Sequence, residues 1–261
     1  MPITKPWKGF GLTDIGRVRQ TNQDALLVND ELGLWIVADG MGGYAGGEVA
    51  SQLAVESVNK YLADHFPSKD QFESMDWASL LQSAVIHANT TIRQRAKAEP
   101  ALTGMGTTLV LAFMPHHTAE RTFIVHVGDS RAYLIRDHAL SALTRDHTLL
   151  EERIQVGLLP RSTPASHRLG HVLTRGVGVE STVEPDVAQH KLQPTDELLL
   201  CSDGLIKMMS DDHILEVLEK NPAQTGQAKC QELLDRANEL GGNDNTTVIL
   251  IQTQERAENS Q

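Results

Sequence analysis

Apolar residues follow two periods along the chain, and these predict two kinds of element. Short, mostly apolar runs predict strands at residues 10–15, 25–28, 33–38, 107–113, 121–127, 132–135, 139–143, 187–190, 197–201 and 246–252. Apolar residues at helical spacing predict a helix that begins at Gly47 and a second that follows Asp76, a candidate N-cap. Two more helices are predicted after Ser210 and before Gly241.

The order of these elements indicates the fold class. Strands without helices between them favour antiparallel pairing, and helices before and after them suggest sheets between helical layers. We therefore expect one α+β domain over residues 1–254. Residues 145–180 combine a short helical pattern with a stretch rich in Gly, Pro, Ser and His, and we interpret them as a mobile flap over the sheet edge. Residues 255–261 are expected to be a disordered tail.

Composition narrows the class of partner. The 261 residues carry a net charge of -11, which disfavours binding to nucleic acid or to anionic membranes. No apolar run is long enough to span a bilayer, and residues 1–8 lack the apolar core of a signal peptide. Cys201 and Cys230 give neither a disulfide framework nor a zinc spacing. These features indicate the reducing cytoplasm. We also expect the protein to be a monomer.

Candidate chemistry lies at the ends of the predicted strands. Five acids share this position: Asp24, Asp39, Asp129, Asp203 and Asp244. In antiparallel neighbours, the end of one strand lies beside the start of the next, so all five can gather at one rim. Converging carboxylates repel one another unless cations are bound, and oxygen ligands favour magnesium or manganese over zinc.

Simpler interpretations apply to each motif taken alone. An Asp-Gly pair usually marks a turn, so the prediction depends on the recurrence of the pattern. The glycine-rich residues 40–47 are expected to form a turn, but they lack the Lys-Ser/Thr pair of a P-loop. Ser130 and Arg131 lack a His or Asp partner at a motif spacing, which favours a structural role over a nucleophilic one.

Seven blocks of the sequence resemble, in order, those of the metal-dependent protein phosphatases (PPM family, type 2C), and specifically their bacterial branch. The blocks are residues 13–24 (TDIGRVRQTNQD), 37–43 (VADGMGG), 106–108 (GTT), 127–131 (VGDSR), 173–178 (LTRGVG), 202–205 (SDGL) and 242–248 (GNDNTTV). Together they span nearly the whole chain. The resemblance implies a four-layer α-β-β-α sandwich, in which two antiparallel sheets pack face to face between helix pairs.

The same resemblance implies hydrolysis of phosphoserine and phosphothreonine in proteins by a hydroxide that bridges two ions. It implies two to three Mn²⁺ or Mg²⁺ ions as cofactors, and a Ser/Thr kinase that the enzyme opposes in bacterial signalling. By position, Asp39 bridges the central ions, and the Gly40 carbonyl binds one of them. Asp203 and Asp244 complete the other, and Asp129 shares a third ion with Asp203.

The resemblance also assigns residues around the substrate. Arg19 matches the arginine that binds substrate phosphate, which its planar guanidinium can do through two bonds. Asp24 is expected to support the ligands rather than to bind metal. Eukaryotic relatives have a proposed general acid, His, where this chain has Met41, which cannot donate a proton. The donor therefore stays open among a metal-bound water, Tyr44 and the histidines of residues 145–180, namely His147, His167 and His171.

Two other functions compete with a protein phosphatase. A catalytically silent module could bind phosphoproteins on the same fold, but the intact acids and Arg19 argue against it. A hydrolase of small phosphate esters or diesters stays open, because the site recognises the phosphate more than its carrier. The expected partners are phosphorylated proteins.

Overall fold

Two β-sheets and the helices outside them make up the fold. The computed structural model describes residues 7–68, 70–163, 167–221 and 223–253, without the side chains of residues 43–45 and 117. Within these ranges the strands are β1 (Trp7–Asp14), β2 (Asp24–Asn29), β3 (Leu34–Met41), β4 (Gly106–Thr107), β5 (Leu109–Phe113), β6 (Thr122–Val127), β7 (Arg131–Arg136), β8 (Ala139–Ala142), β9 (Asp186–His190), β10 (Glu197–Cys201) and β11 (Thr246–Thr253). The α-helices are α1 (Gly43–Asp64), α2 (Trp77–Ala98), α3 (Leu149–Gln155), α4 (Asp203–Met208), α5 (Asp211–Glu219) and α6 (Gly226–Glu239). The predicted tail, 255–261, lies outside the described residues.

The sheets have the antiparallel pairing that the sequence predicted. One sheet has the strand order β1-β11-β10-β7-β8, and the other has the order β2-β3-β5-β6-β9, with β4 beside β3. Helices α1 and α2 pack on the second sheet, and α4, α5 and α6 pack on the first. The predicted α+β sandwich with four layers is therefore confirmed.

Strand β3 has an uninterrupted apolar sequence because both of its faces are buried. Leu34 and Ile36 belong to the core beneath α1 and α2, whereas Trp35 and Val37 belong to the core between the two sheets. All four side chains are fully buried. Successive residues of a strand point to opposite faces, and both faces of this strand are covered. Each such burial contributes roughly 1.5–3 kcal/mol.

The glycine-rich residues 40–47 do not form the predicted turn. Strand β3 continues through Met41, and α1 begins at Gly43, before the predicted start at Gly47. Gly42 lies between β3 and α1 and has a φ of 117°, a backbone conformation that residues with a Cβ rarely adopt. The prediction was wrong because glycine has weak helix propensity, which the packing of α1 on the sheet overrides.

Two further local predictions need correction. The strand predicted at 107–113 is divided at Thr108 into β4 and β5. Asp203 does not end a strand but begins the short helix α4, with Ser202 in the N-cap position. A helix of six residues shows too little periodicity to be recognised in the sequence. This correction matters for the site, because α4 brings a further charged residue to it.

Residues 145–180 contain helix α3 and are joined to the core near both ends. His147 donates its backbone N–H to Gly128 at 2.9 Å, and Val177 exchanges backbone hydrogen bonds with Thr107 at 2.8 and 2.9 Å. Thr148 caps α3 by accepting from the Glu151 N–H at 3.3 Å. No helix in the described part of the chain is both long enough and apolar enough to cross a membrane.

Candidate active site

A cleft of about 490 Å³ gathers most of the predicted site. Six of the seven predicted residues line it: Arg19, Asp39, Gly40, Asp129, Asp203 and Asp244. The seventh, Asp24, lies opposite Asp39 in the register of β2 and β3. Its Oδ2 accepts hydrogen bonds from the hydroxyls of Ser202 at 2.8 Å and Thr247 at 2.7 Å. These acids come from separate strands and loops, and the sheet pairing brings them together.

Buried hydroxyl groups connect Asp39 to the turn that carries Asp129. The Asp39 N–H donates to Thr108 Oγ1 at 3.0 Å, and this oxygen is 2.7 Å from Ser130 Oγ. Thr108 also donates its own N–H to the Asp39 carbonyl at 2.8 Å. The Ser130 side chain is buried and bonded in this network. A structural role for Ser130 therefore agrees with its surroundings.

Asn245 holds the loop that carries Arg19 against the cleft. Its Nδ2 donates to the carbonyls of Ile15 at 2.9 Å and Thr21 at 3.0 Å, and its Oδ1 accepts from the Gln23 N–H at 2.8 Å. Asn245 was not predicted as a site residue, although it lies in the block at 242–248. The only sign of it in the sequence is its position directly after the candidate ligand Asp244.

Gly40 permits a close approach of three backbone segments. Its N–H donates to the Gln23 carbonyl at 3.1 Å. A Cβ at this position would lie 2.6 Å from that carbonyl oxygen and would overlap the Gly47 carbonyl. Glycine is therefore required here for steric reasons, and the backbone of β3 lies at the surface of the cleft.

The clustered carboxylates disfavour one another's charged form. Burial, followed by the charges of Asp24 and Asp203, raises the pKa of Asp39 well above its ordinary value. Burial and the charge of Asp203 raise the pKa of Asp129 to about 7. Burial raises the pKa of Asp24 to about 6 against the lowering effect of its two hydroxyl donors, with the charges of Asp203 and Asp244 adding to the rise. Without cations, these acids therefore take up protons near neutral pH.

Two cationic side chains offset part of this charge. Arg19 places Nε and Nη2 each 2.9 Å from the Asp244 carboxylate, so its fork is engaged by an acid of the site. Lys207 forms an ion pair with Asp203 and lies 3.3 Å from Asp244. Burial lowers the pKa of Lys207, but the charges of Asp203 and Asp244 outweigh burial and raise it. Sequence reasoning missed Lys207, which follows Asp203 by one helical turn of the unpredicted α4.

The donor atoms suit a hard divalent cation. Asp203 Oδ1 and Asp24 Oδ1 are buried carboxylate oxygens without a hydrogen-bond partner among the described residues. Asp39, Asp129 and Asp244 add further carboxylate oxygens to the same cleft. Oxygen donors of this kind bind Mg²⁺ or Mn²⁺, and a bound cation would satisfy the lone pairs and reduce the repulsion. The residues therefore fit the expected metals.

Of the three candidate histidines, one lines the catalytic cleft and two do not. His171 lines the cleft. His147 does not: it is buried, and its Nδ1 accepts from the Gly128 N–H at 3.2 Å. His167 lies among residues of its own turn, where its Nδ1 accepts from a backbone N–H at 3.3 Å. The side chain of Tyr44 lies outside the described residues.

A separate cluster of potential ligands does not favour metal binding. Ligand atoms of His126, His147 and Asp186 lie within 4.8 Å of one another. Because His147 Nδ1 accepts from Gly128, its Nε2 carries the proton of the neutral ring and lies 3.4 Å from Asp186. Asp186 also accepts from Arg175 at 2.7 Å. Burial, then the nearby His126 and Arg175, lowers the pKa of His147 to about 4, so this is a network with a neutral histidine.

Comparison with known sequences identifies the family. The family model described as protein phosphatase 2C matches residues 16–236. The serine/threonine phosphatase stp of Listeria monocytogenes serotype 4b is 37% identical over 243 residues, which cover 92% of this chain and 93% of that protein.

Solved structures agree with this assignment. The Mycobacterium tuberculosis serine/threonine phosphatase PstP/Ppp has a TM-score of 0.83 at 33% identity, over 95% of this chain and 99% of that one. The catalytic domain of serine threonine protein phosphatase PstP, in complex with 2 manganese ions, has a TM-score of 0.80 at 34% identity, over 95% and 99% of the two chains. The family model matches most of the sequence, and the two solved structures share the sandwich fold. Both findings are consistent with an acidic cleft that suits divalent cations. The chain therefore belongs to the protein phosphatase 2C family of metal-dependent serine/threonine phosphatases, in its bacterial branch.

Proposed function

We propose that this protein removes phosphate from phosphoserine and phosphothreonine in proteins by a two-metal mechanism in the cleft described above. The observation that carries the proposal is the convergence of four carboxylates on one cleft, together with a buried Asp203 oxygen that has no hydrogen-bond partner among the described residues. The two manganese ions in the PstP catalytic domain, a structure of the same fold, support it. Dephosphorylation of protein serine and threonine is the activity of the family, and the metal chemistry is the proposed part.

The proposal assigns each ligand a place. Asp39 would be shared by the two central ions, and the Gly40 carbonyl would bind one of them. Asp203 and Asp244 would complete the other, and Asp129 would hold a third, weaker ion together with Asp203. When bound, such ions activate water as a nucleophile near neutral pH and neutralise charge on the phosphate. Since Asp24 Oδ2 is already bonded to two hydroxyls, Asp24 would support this site from behind Asp39.

The chain's own cations would receive the phosphate. The net charge of -11 repels a phosphorylated substrate over long distances, so the site needs local positive charge. Arg19 can supply a bidentate contact once its fork leaves Asp244, and Lys207 adds a second cation at the same edge of the cleft. Met41 cannot donate a proton to the leaving oxygen. We therefore place the leaving group beside His171, whose ring nitrogen can do so.

The setting of the reaction follows from its substrate. Phosphorylated serine and threonine are made by protein kinases, so we propose that this phosphatase opposes a Ser/Thr kinase in bacterial signalling. We propose that it acts there as a cytoplasmic monomer. A strain that lacks the protein should accumulate phosphoserine and phosphothreonine at the sites of one kinase, which phosphoproteomics would measure. An unchanged phosphoproteome would contradict this part of the proposal.

The decisive experiment measures turnover of a phosphothreonine peptide and of p-nitrophenyl phosphate in a manganese titration. Asp39→Asn should abolish turnover of both substrates, because a neutral amide cannot bridge two divalent cations as a carboxylate does. Asp64→Asn is the matched control, since Asp64 pairs with Lys60 on the surface of α1. Near-normal manganese-dependent rates in Asp39→Asn would overturn the two-metal assignment. Faster turnover of small esters than of the peptide would favour a hydrolase of small phosphate esters.

A further inference from the structure

A second cleft adjoins the catalytic one. This cleft, of about 550 Å³, extends along helix α4, and we call it the α4 cleft. The two clefts share five lining residues: Asp129, His171, Asp203, Lys207 and Asp244. A peptide whose phosphorylated residue enters the catalytic cleft therefore has a continuous path into the α4 cleft. Binding of a peptide along this path depends on the function proposed above.

One wall of the α4 cleft is apolar. It is formed by Ile206, Met208 and Met209. Ile206 and Met208 are only partly buried, whereas Leu205 of the same helix turns inward and is fully buried. Methionine is flexible and polarizable, so it adapts to apolar side chains of different shapes. This wall offers partly exposed apolar surface directly beside a site that handles phosphate.

The polar floor of the α4 cleft is already paired. Arg131 donates through Nε and Nη2 to the two oxygens of Asp146, each at 2.7 Å. Its Nη1 donates to the Tyr133 hydroxyl at 2.9 Å. A charged substrate side chain would therefore have to break an existing bidentate ion pair to bind here. An apolar side chain has no such cost.

We propose that the α4 cleft is a substrate subsite that binds an aliphatic or thioether side chain flanking the phosphorylated residue in preference to a charged one. The substrates of this phosphatase are then phosphoproteins with an apolar residue close to the phosphoserine or phosphothreonine. The wall at Met208 favours apolar surface, and a charged side chain would have to break the ion pair of Arg131 and Asp146.

Peptide kinetics test this subsite. The substrates are phosphothreonine peptides with alanine at every flanking position, in which each position is replaced in turn by Leu, Glu or Lys. In the wild type, Leu at one position or more should raise kcat/KM about tenfold over Ala, because Leu has three more apolar carbons than Ala and a wall on one side buries only part of them. Glu and Lys at that position should give no gain over Ala, and added salt should leave the gain from Leu in place.

Variants locate the effect. Met208→Ala should reduce the ratio of Leu to Ala peptides to about threefold, since half or more of the apolar wall contact is lost. Met208→Gln, which keeps the length of the side chain, should reduce the same ratio and guards against a folding defect in the first variant. Leu158→Ala is the control, because Leu158 is an exposed apolar residue that does not line the cleft, and it should keep the wild-type ratio.

Each other outcome overturns the inference. Equal rates on Leu, Ala and Glu peptides in the wild type would leave the phosphatase function intact and reject the subsite. A preference for Lys over Leu would show selection by charge, and a ratio unchanged in both Met208 variants would place the selectivity elsewhere. If the wild type hydrolysed none of these peptides, the proposed function would fail, and this inference would fail with it.

Discussion

Lys207 is expected to compete with metal ions for two carboxylates of the site. Its ammonium forms an ion pair with Asp203 and lies 3.3 Å from Asp244, and its side chain is 30% exposed. A cation that binds both acids must displace these contacts. Lys207→Met removes the charge and keeps a long side chain of good helix propensity. We therefore expect this variant to bind Mn²⁺ more tightly than the wild type.

The magnitude follows from the geometry of the pair. Two unit charges at 4 Å attract by about 4 kcal/mol at an effective dielectric constant of 20. Desolvation and side-chain entropy offset most of this, and partly exposed pairs usually contribute about 1 kcal/mol. A change of 1–1.4 kcal/mol corresponds to roughly a five- to tenfold lower Kd for Mn²⁺. In the metal-free protein the sign reverses, and the free energy of unfolding should fall by about 1 kcal/mol because the acids lose a counterion.

Isothermal titration calorimetry with Mn²⁺ and thermal unfolding in EDTA, both at pH 7.5, would measure the two effects. Lys220→Met is the matched control, because it also removes one positive charge and one ion pair, at 2.8 Å to Glu232, on the surface between α5 and α6. If both variants bound Mn²⁺ with the same Kd, net charge alone would explain any change. Weaker binding in Lys207→Met would refute the competition and would indicate that Lys207 supports the bound metal.

Three other predictions concern phosphate binding, pH and the leaving group. Arg19→Ala should raise KM for phosphopeptides by an amount corresponding to about 1.5–3 kcal/mol, whereas Arg17→Ala should keep KM near the wild-type value. If steady-state kinetics gave the same KM for both variants, Arg19 would have no role in phosphate binding and only its contact with Asp244 would remain. The metal-free protein should lose stability as pH rises from about 4 to about 7. The pKa values of Asp24 (about 6) and Asp129 (about 7) lie above the ordinary 3.8, so the folded state binds more protons than the unfolded state in this pH range. Thermal unfolding in EDTA across this range would check the sign, and a rise in stability would contradict it. Asp129→Ala should slow hydrolysis of phosphoserine peptides more than that of p-nitrophenyl phosphate, whose leaving group scarcely needs a proton, because Asp129 and His171 line the same clefts and the ion held by Asp129 would orient the leaving oxygen for protonation. Equal losses in parallel assays would exclude a role for Asp129 in leaving-group protonation.

The sequence predicted the layers of the fold because each sheet has covered faces. The run of apolar residues in β3 needs an apolar neighbour on both sides, which helices α1 and α2 supply on one face and the facing sheet supplies on the other. Helix α2 was predicted with its N-cap, and Asp76 does accept from the Ser79 N–H at 3.1 Å. The convergence of acids was also predictable, because antiparallel pairing alone brings Asp24 opposite Asp39.

The remaining features depend on packing that a linear pattern does not encode. Helix α4 is shorter than two turns, so its apolar residues show no period, and the position of Lys207 could not be inferred. The role of Asn245 depends on three partners that are more than 200 residues away in the chain. The start of α1 was misplaced for the opposite reason, since the local signal of several glycines was strong and tertiary contacts overrode it.

Asp244 is where these separate contributions meet. Its carboxylate holds the fork of Arg19 and lies near Lys207, and its backbone precedes Asn245, which anchors the loop of Arg19. A cation that binds Asp244 would compete with both side chains and would release the guanidinium for a phosphate. Metal and phosphate would then bind cooperatively, because the first ligand removes a contact that the second must otherwise break. This linkage would give an acidic protein a way to hold phosphate: Arg19 and Lys207 form ion pairs with the acids of the site, and both would become available when metal replaces them.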